Sequence, residues 1–169
     1  PIEYSDRLPA MPSAGIQELV KSLNEAIIQS ASQNNFVSFF YAEIDGPSGA
    51  IECVNAGHNP PILFRTTGQV ERLKADGLIL GVFSGARYGL NKITLGRGDL
   101  LVAFSDGVTE AQNETDEEFG EERLIGLLKQ QRGEGAAAIQ DLVMSSVRTF
   151  MGRAPQYDDI TLLVVKSLT

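Results

Sequence analysis

Tryptophan is absent from this chain of 169 residues, and cysteine and histidine occur once each, as Cys53 and His58. A single thiol excludes an internal disulfide and a multi-thiolate zinc site. A single imidazole excludes the multi-histidine metal triads and the His-Glu-x-x-His metalloprotease motif. No run approaches the ~18 apolar residues of a membrane-spanning helix, and no signal peptide is visible. Positive charge is scarce: 14 Lys and Arg stand against 22 Asp and Glu, a net charge of −8. Proteins that coat a duplex are normally basic, so no nucleic-acid partner is expected. An acidic surface suits bound cations or basic partners.

Several catalytic signatures are missing too. A cysteine phosphatase needs Cys, five residues and then Arg, but Asn59 stands six after Cys53. There is no Gly-x-Ser-x-Gly elbow and no phosphate-cradling Gly-x-x-x-x-Gly-Lys-Ser/Thr loop. Cys53 reads as a core residue rather than a nucleophile. One unpaired cysteine suits a reducing, cytoplasmic setting. The chain begins with Pro1 rather than Met, which leads us to expect a processed chain or part of a longer protein.

What is present is a globular composition, 43% apolar and 21% charged, of a size for one domain or most of a larger one. Residues 1–15 carry Pro1, Pro9 and Pro12 without periodicity and read as a lead-in. Ile16, Leu19, Val20, Leu23 and Ile27 then follow a helical stripe, with Ser13 as a nearby cap and an end at Gln33-Asn34-Asn35. Residues 36–44 and 51–56 read as two strands joined by the turn Gly46-Pro47-Ser48-Gly49. The pairs 62–65 with 70–73, and 90–95 with 100–105, repeat strand, Gly-bearing turn, strand. Helical spacing returns at Leu124, Ile125, Leu127 and Leu128, with Glu121 and Glu122 suiting the positive N-terminal end. It recurs through Ile139, Leu142, Val143, Ser146, Val147 and Phe150, before a last strand at 160–165. This order predicts an α+β fold with helices on largely antiparallel sheet.

Three places could carry chemistry. In Ser105-Asp106-Gly107-Val108-Thr109-Glu110, Asp106 follows the apolar run 100–104. A carboxylate held at the end of a buried strand suits a hard divalent cation, and Gly107 permits close approach; the plain alternative is a strand-end turn. In Asp158-Asp159-Ile160-Thr161, adjacent acids precede the last strand. Neighbouring like charges call for something positive nearby, unless the loop is simply solvated. In Asn55-Ala56-Gly57-His58-Asn59-Pro60-Pro61, His58 suits a general acid or a phosphate contact, or a ring that merely fixes its turn. Six carboxylates crowd positions 114–122 without EF-hand order and read as a solvated loop and helix start.

Taken in order, Phe36-Val37-Ser38-Phe39-Phe40-Tyr41, Asn55-Ala56-Gly57-His58, Ser105-Asp106-Gly107-Val108-Thr109-Glu110-Ala111, Phe119-Gly120-Glu121-Glu122-Arg123-Leu124 and Asp158-Asp159-Ile160-Thr161-Leu162-Leu163 resemble the bacterial PPM/PP2C-type serine/threonine phosphatases, in their SpoIIE/RsbU-like branch. The resemblance implies a PP2C-like antiparallel β-sandwich flanked by helices. It implies Mg²⁺- or Mn²⁺-dependent hydrolysis of phosphoserine or phosphothreonine, with two metal ions in the intact domain activating water for in-line attack. It also implies a phosphorylated STAS-type anti-sigma antagonist as substrate, in stress-response and sigma-factor signalling, and an upstream sensor domain. Asp106 and Asp158 match metal ligands, Asp159 is the neighbouring position and Gly107 the accompanying glycine. Asn55 and His58 belong to a hallmark of the branch and are candidates for substrate or phosphate contact.

The family's Asp-Val-Ser-Gly-x-Gly block, whose Asp bridges the metals, has no counterpart here. The expectation is therefore that residues 16–169 form the C-terminal portion of the domain, N-terminally incomplete. At most one cation would be held weakly, turnover would be weak or absent, and an uncovered sheet edge would favour self-association. The alternatives are a non-catalytic PP2C-like module that binds a phosphoprotein, and an unrelated α+β module whose acids are all solvated.

Overall fold

The computed structural model describes residues 15–30 and 36–168. The lead-in at 1–14, Ser13 with it, and the expected helix end at 33–35 lie outside the described residues. Helix α1 (Ile16–Ser30) puts Ile16, Val20, Leu23 and Ile27 on one face. That face lies on Val54 and Ala56 of strand β2 (Ala50–Ala56). Strand β1 (Phe39–Asp45) pairs antiparallel with β2, Phe39 opposite Ala56 and Asp45 opposite Ala50, across the expected turn. Strand β5 (Asn91–Thr94) pairs with the other edge of β2. The second sheet runs β4 (Val70–Arg72), β3 (Ile62–Phe64), β6 (Leu100–Phe104) and β7 (Leu162–Lys166), each antiparallel to its neighbour.

Side chains alternate across each strand, and the buried sets follow. Ile51 and Cys53 of β2 meet Leu63, Leu101 and Val165 of the second sheet, forming the layer between sheets. Ile62, Phe64, Leu100, Val102, Phe104 and Leu162 point the other way. They pack under helices α3 (Gly120–Gln130) and α4 (Ala136–Met151) through Leu124, Leu128, Ile139, Val143 and Val147. The layers are thus helix, sheet, sheet, helices: the antiparallel sandwich flanked by helices that the residue pattern predicts. Fully burying each such aliphatic or Phe side chain contributes about 1.5–3 kcal/mol.

One local expectation fails. Strands 90–95 and 100–105 read as a hairpin, yet β5 belongs to the first sheet and β6 to the second. The segment between them is a corner that changes sheets. Asp99, only 3% exposed, holds it. Its carboxylate accepts the Thr66 N–H at 2.9 Å, the Gly96 N–H at 3.0 Å and the Arg65 guanidinium at 2.9 Å. Arg65 also donates to Glu71 at 2.8 Å and to the Thr94 carbonyl at 2.7 Å, so one side chain ties β3, β4 and β5 together.

A second device anchors α1. Asn24 is fully buried on its apolar face. The amide donates to the Phe83 carbonyl at 3.0 Å and accepts the Gly81 N–H at 2.9 Å. The next residue, Glu25, accepts from Ser84 and from the Gly85 N–H. No described helix is long and apolar enough to cross a membrane.

Candidate functional site

Register decides which ends share a rim. Phe104 lies opposite Leu162, and Val102 opposite Ile62. The C-terminal end of β6 therefore meets the N-terminal ends of β7 and β3. That rim carries Asp106, two residues past β6, and Asp158 and Asp159, just before β7. The 55–61 turn arrives there from β2 and leads into β3.

Ser105 binds the two acid loops to each other. Its backbone N–H donates to the Thr161 carbonyl at 3.0 Å. Its hydroxyl donates to the Asp159 carbonyl at 2.7 Å and accepts the Thr161 N–H at 2.9 Å. The chain then turns into a short helix α2 (Asp106–Thr109), which the Asp-Gly turn reading misses. Gly107 is buried where α2 meets the second loop. A Cβ there would lie 2.5 Å from the Asp159 carbonyl oxygen, so only glycine lets the loops close this far. The loops that carry Asp106 and Asp158, over 50 residues apart in sequence, are thereby held against each other. Ser105 and Thr161 are the site residues that sequence reasoning overlooked; the available signal was a hydroxyl residue within two positions of the acids in each loop.

Both carboxylates are exposed, and each accepts a local backbone N–H: Gly107 at 2.9 Å for Asp106 and Asp159 at 2.8 Å for Asp158. Among the described residues, no ion pair involves Asp106, Asp158 or Asp159. Nor do three or more His, Cys, Asp or Glu gather tightly enough to hold a metal ion among them. Two carboxylates with water completing the shell fit one hard divalent cation, since Mg²⁺ is commonly held by one or two carboxylates. They do not by themselves fit a two-metal centre.

The Asn55–His58 turn divides between structure and surface. Asn55 is fully buried, its amide donating to the Leu73 carbonyl at 3.1 Å and accepting the His58 N–H at 2.9 Å. Those bonds hold the turn from within. Gly57 has φ +71° and presses against Ile79, where a Cβ has no room. His58 is half-buried, with Nδ1 and the Ser38 hydroxyl 3.2 Å apart. Cys53 is buried between the sheets, where desolvation pushes its thiol up to about 11, as expected of a core residue.

A two-sheet antiparallel sandwich with acids gathered at one rim is the architecture of PP2C phosphatase domains. The PP2C domain of SiaA from Pseudomonas aeruginosa superposes with a TM-score of 0.76 at 17% identity, covering 89% of this chain and 60% of that one. The family model described as Stage II sporulation protein E (SpoIIE) matches residues 6–167, and the chain belongs to that family. It is 31% identical over 116 residues to the phosphoserine phosphatase RsbU of Bacillus subtilis, across 67% of this chain and 34% of RsbU. It is 29% identical over 130 residues to protein IcfG of Synechocystis sp., across 77% of this chain and 20% of IcfG. The chain thus spans about a third of the length of one of these curated relatives and a fifth of the other.

Proposed function

We propose that this chain supplies the Asp106/Asp158 half of a metal-dependent serine/threonine phosphatase centre. The observation that carries the reading is the Ser105 bridge, which closes the Asp106 and Asp158 loops upon each other. Asp106 and Asp158 would hold Mg²⁺ or Mn²⁺, with Asp159 shaping the second loop and Gly107 leaving room for the approach. A bound divalent cation would lower the pKa of its water and offset phosphate charge. The protein's own part is to keep two unpaired carboxylates fixed at the rim, with His58 half-exposed on the turn leading into β3 and suited to a phosphate contact.

The substrate class that fits the family is a protein phosphoserine or phosphothreonine, such as that of a phosphorylated STAS-type anti-sigma antagonist in cytoplasmic stress signalling. Residues 16–169 would be the C-terminal portion of the domain, in a parent chain that also bears a sensor. With no Asp-Val-Ser-Gly-x-Gly block in the sequence, we expect one weakly held cation and slow or no turnover. Among the described residues β1 is an edge strand, which offers a place for a further strand or for self-association.

A second reading, a phosphoprotein-binding module without catalysis, is favoured by the lack of a three-ligand cluster among the described residues. One assay separates the two: phosphate release from a phosphoserine STAS protein with Mn²⁺, using a parent chain that carries the Asp-Val-Ser-Gly-x-Gly block. Release that disappears in Asp106→Asn supports the phosphatase. Binding of the phosphoprotein without release supports the second reading.

A further inference from the structure

Beside the Asp106/Asp158 rim lies a cavity of about 280 Å³ that shares Gly107 and Asp158 with it. Its lining divides by chemistry. Ala111, Met151 and Ile160 are apolar, whereas Glu110, Glu118 and Asp158 are acidic. None of these three carboxylates belongs to an ion pair among the described residues.

The walls are built rather than loose. The first part of the 114–122 stretch, which reads as solvated loop and helix start from the sequence, belongs to a small hairpin with Gln112 bridged to Glu118. The Asn113 side-chain carbonyl accepts the N–H groups of Thr115 and Glu117, both at 2.9 Å, and tightens its tip. Glu114 reaches across to accept the Arg153 N–H at 3.1 Å, latching this wall to the segment that follows α4. Glu118 thus stands on a backbone fixed before any ligand arrives.

We propose that this cavity is a subsite for one basic side chain, lysine or arginine, that flanks the phosphorylated residue of the substrate protein. The inference rests on the phosphatase reading above and extends it to substrate choice. Lysine and arginine carry an apolar stem and a cationic head. That is the complement of an apolar lining with carboxylates around it. An acidic flank is repelled by the same groups, so the cavity discriminates between substrates more than it adds affinity. Because it adjoins the rim, the basic residue lies within a few positions of the phosphoserine along an extended segment.

The test is fluorescence anisotropy with labelled phosphoserine peptides in Mn²⁺. Arginine is placed at each flanking position in turn, and unphosphorylated copies serve as controls. The proteins are wild type, Glu110→Gln, Glu118→Gln and Glu118→Lys, with thermal melts confirming that these exposed-site variants fold. We expect arginine at one position to tighten binding by about tenfold, the scale of a charge-assisted hydrogen bond. That gain falls in Glu110→Gln and Glu118→Gln, and Glu118→Lys prefers glutamate at the same position. Phosphate-dependent binding indifferent to arginine, or an arginine preference unchanged in both Gln variants, overturns the subsite and leaves the phosphatase reading standing. An arginine preference without any advantage from phosphate keeps the subsite and removes the phosphatase reading. Binding of no peptide overturns both.

Discussion

Gly107 and Asp159 meet so closely that a methyl group on the Gly107 Cα would stand 2.5 Å from the Asp159 carbonyl oxygen. The obstacle is backbone rather than a flexible side-chain tip, so it cannot swing aside. Gly107→Ala must therefore push the two acid loops apart. The expected cost is about 1–3 kcal/mol of stability, typical of overpacking. Mn²⁺ binding should weaken along with it. Thermal denaturation and metal titration of the same variant check both.

The Asn24 amide joins α1 to the 81–83 segment from a fully buried position. Asn24→Ala removes both bonds and leaves the Gly81 N–H and the Phe83 carbonyl without them. A loss of about 2 kcal/mol is expected. Hydrogen exchange should quicken at the Gly81 amide while the β6–β7 ladder stays protected. Uniform acceleration over the whole chain would assign Asn24 a global role instead.

Asp99 gives stability a defined pH dependence. Burial pushes its carboxyl up, but the Thr66 N–H, the Arg65 guanidinium and the Gly96 N–H together outweigh that and hold it below the usual carboxylate range. A carboxyl lower in the folded state stabilises above its unfolded value of about 3.9, and that stabilisation is lost as pH falls through the folded value. Urea denaturation from pH 7 to pH 2.5 should show wild type losing stability below about pH 4. Asp99→Asn should start about 2–3 kcal/mol lower at neutral pH and show a shallower acid loss.

Much of this fold can be read without coordinates because burial and periodicity coincide. The stripe on α1, apart from Leu19, which is exposed, the 46–49 turn and the apolar faces of α3 and α4 follow residue spacing, since each element has one face to bury. The β5–β6 connection was illegible for a physical reason. A Gly-rich turn between two strands looks the same whether it stays in one sheet or crosses to another, and the decision rests on Asp99 and Arg65 contacts distant in sequence. At the site, the acids at 106 and 158 were legible as types at strand ends. That their loops share a rim was implied by the antiparallel pattern and the resemblance; how the loops are joined was not, because that depends on the Ser105 bonds to Asp159 and Thr161. The internal bonds of Asn55 were not legible, because a polar residue in a Gly- and Pro-rich turn gives no sign that its amide is used there.

Cys53 should be inert in the folded chain. It is buried between the sheets, with a thiol pushed up to about 11 by desolvation, so almost no thiolate exists at neutral pH. A disulfide-exchange reagent at pH 8 should label it only after denaturant is added. Rapid labelling of the native protein would mean that the two sheets part readily.

Asp106 and Asp158 are proposed to serve a single cation. Calorimetric titration of Mn²⁺ into wild type, Asp106→Asn and Asp158→Asn, each shown to be folded by its thermal melt, measures this directly. One weak site is expected in wild type, with a loss of at least about tenfold in each variant, as when a charged ligand becomes neutral. Equal Mn²⁺ affinity in all three proteins would contradict it.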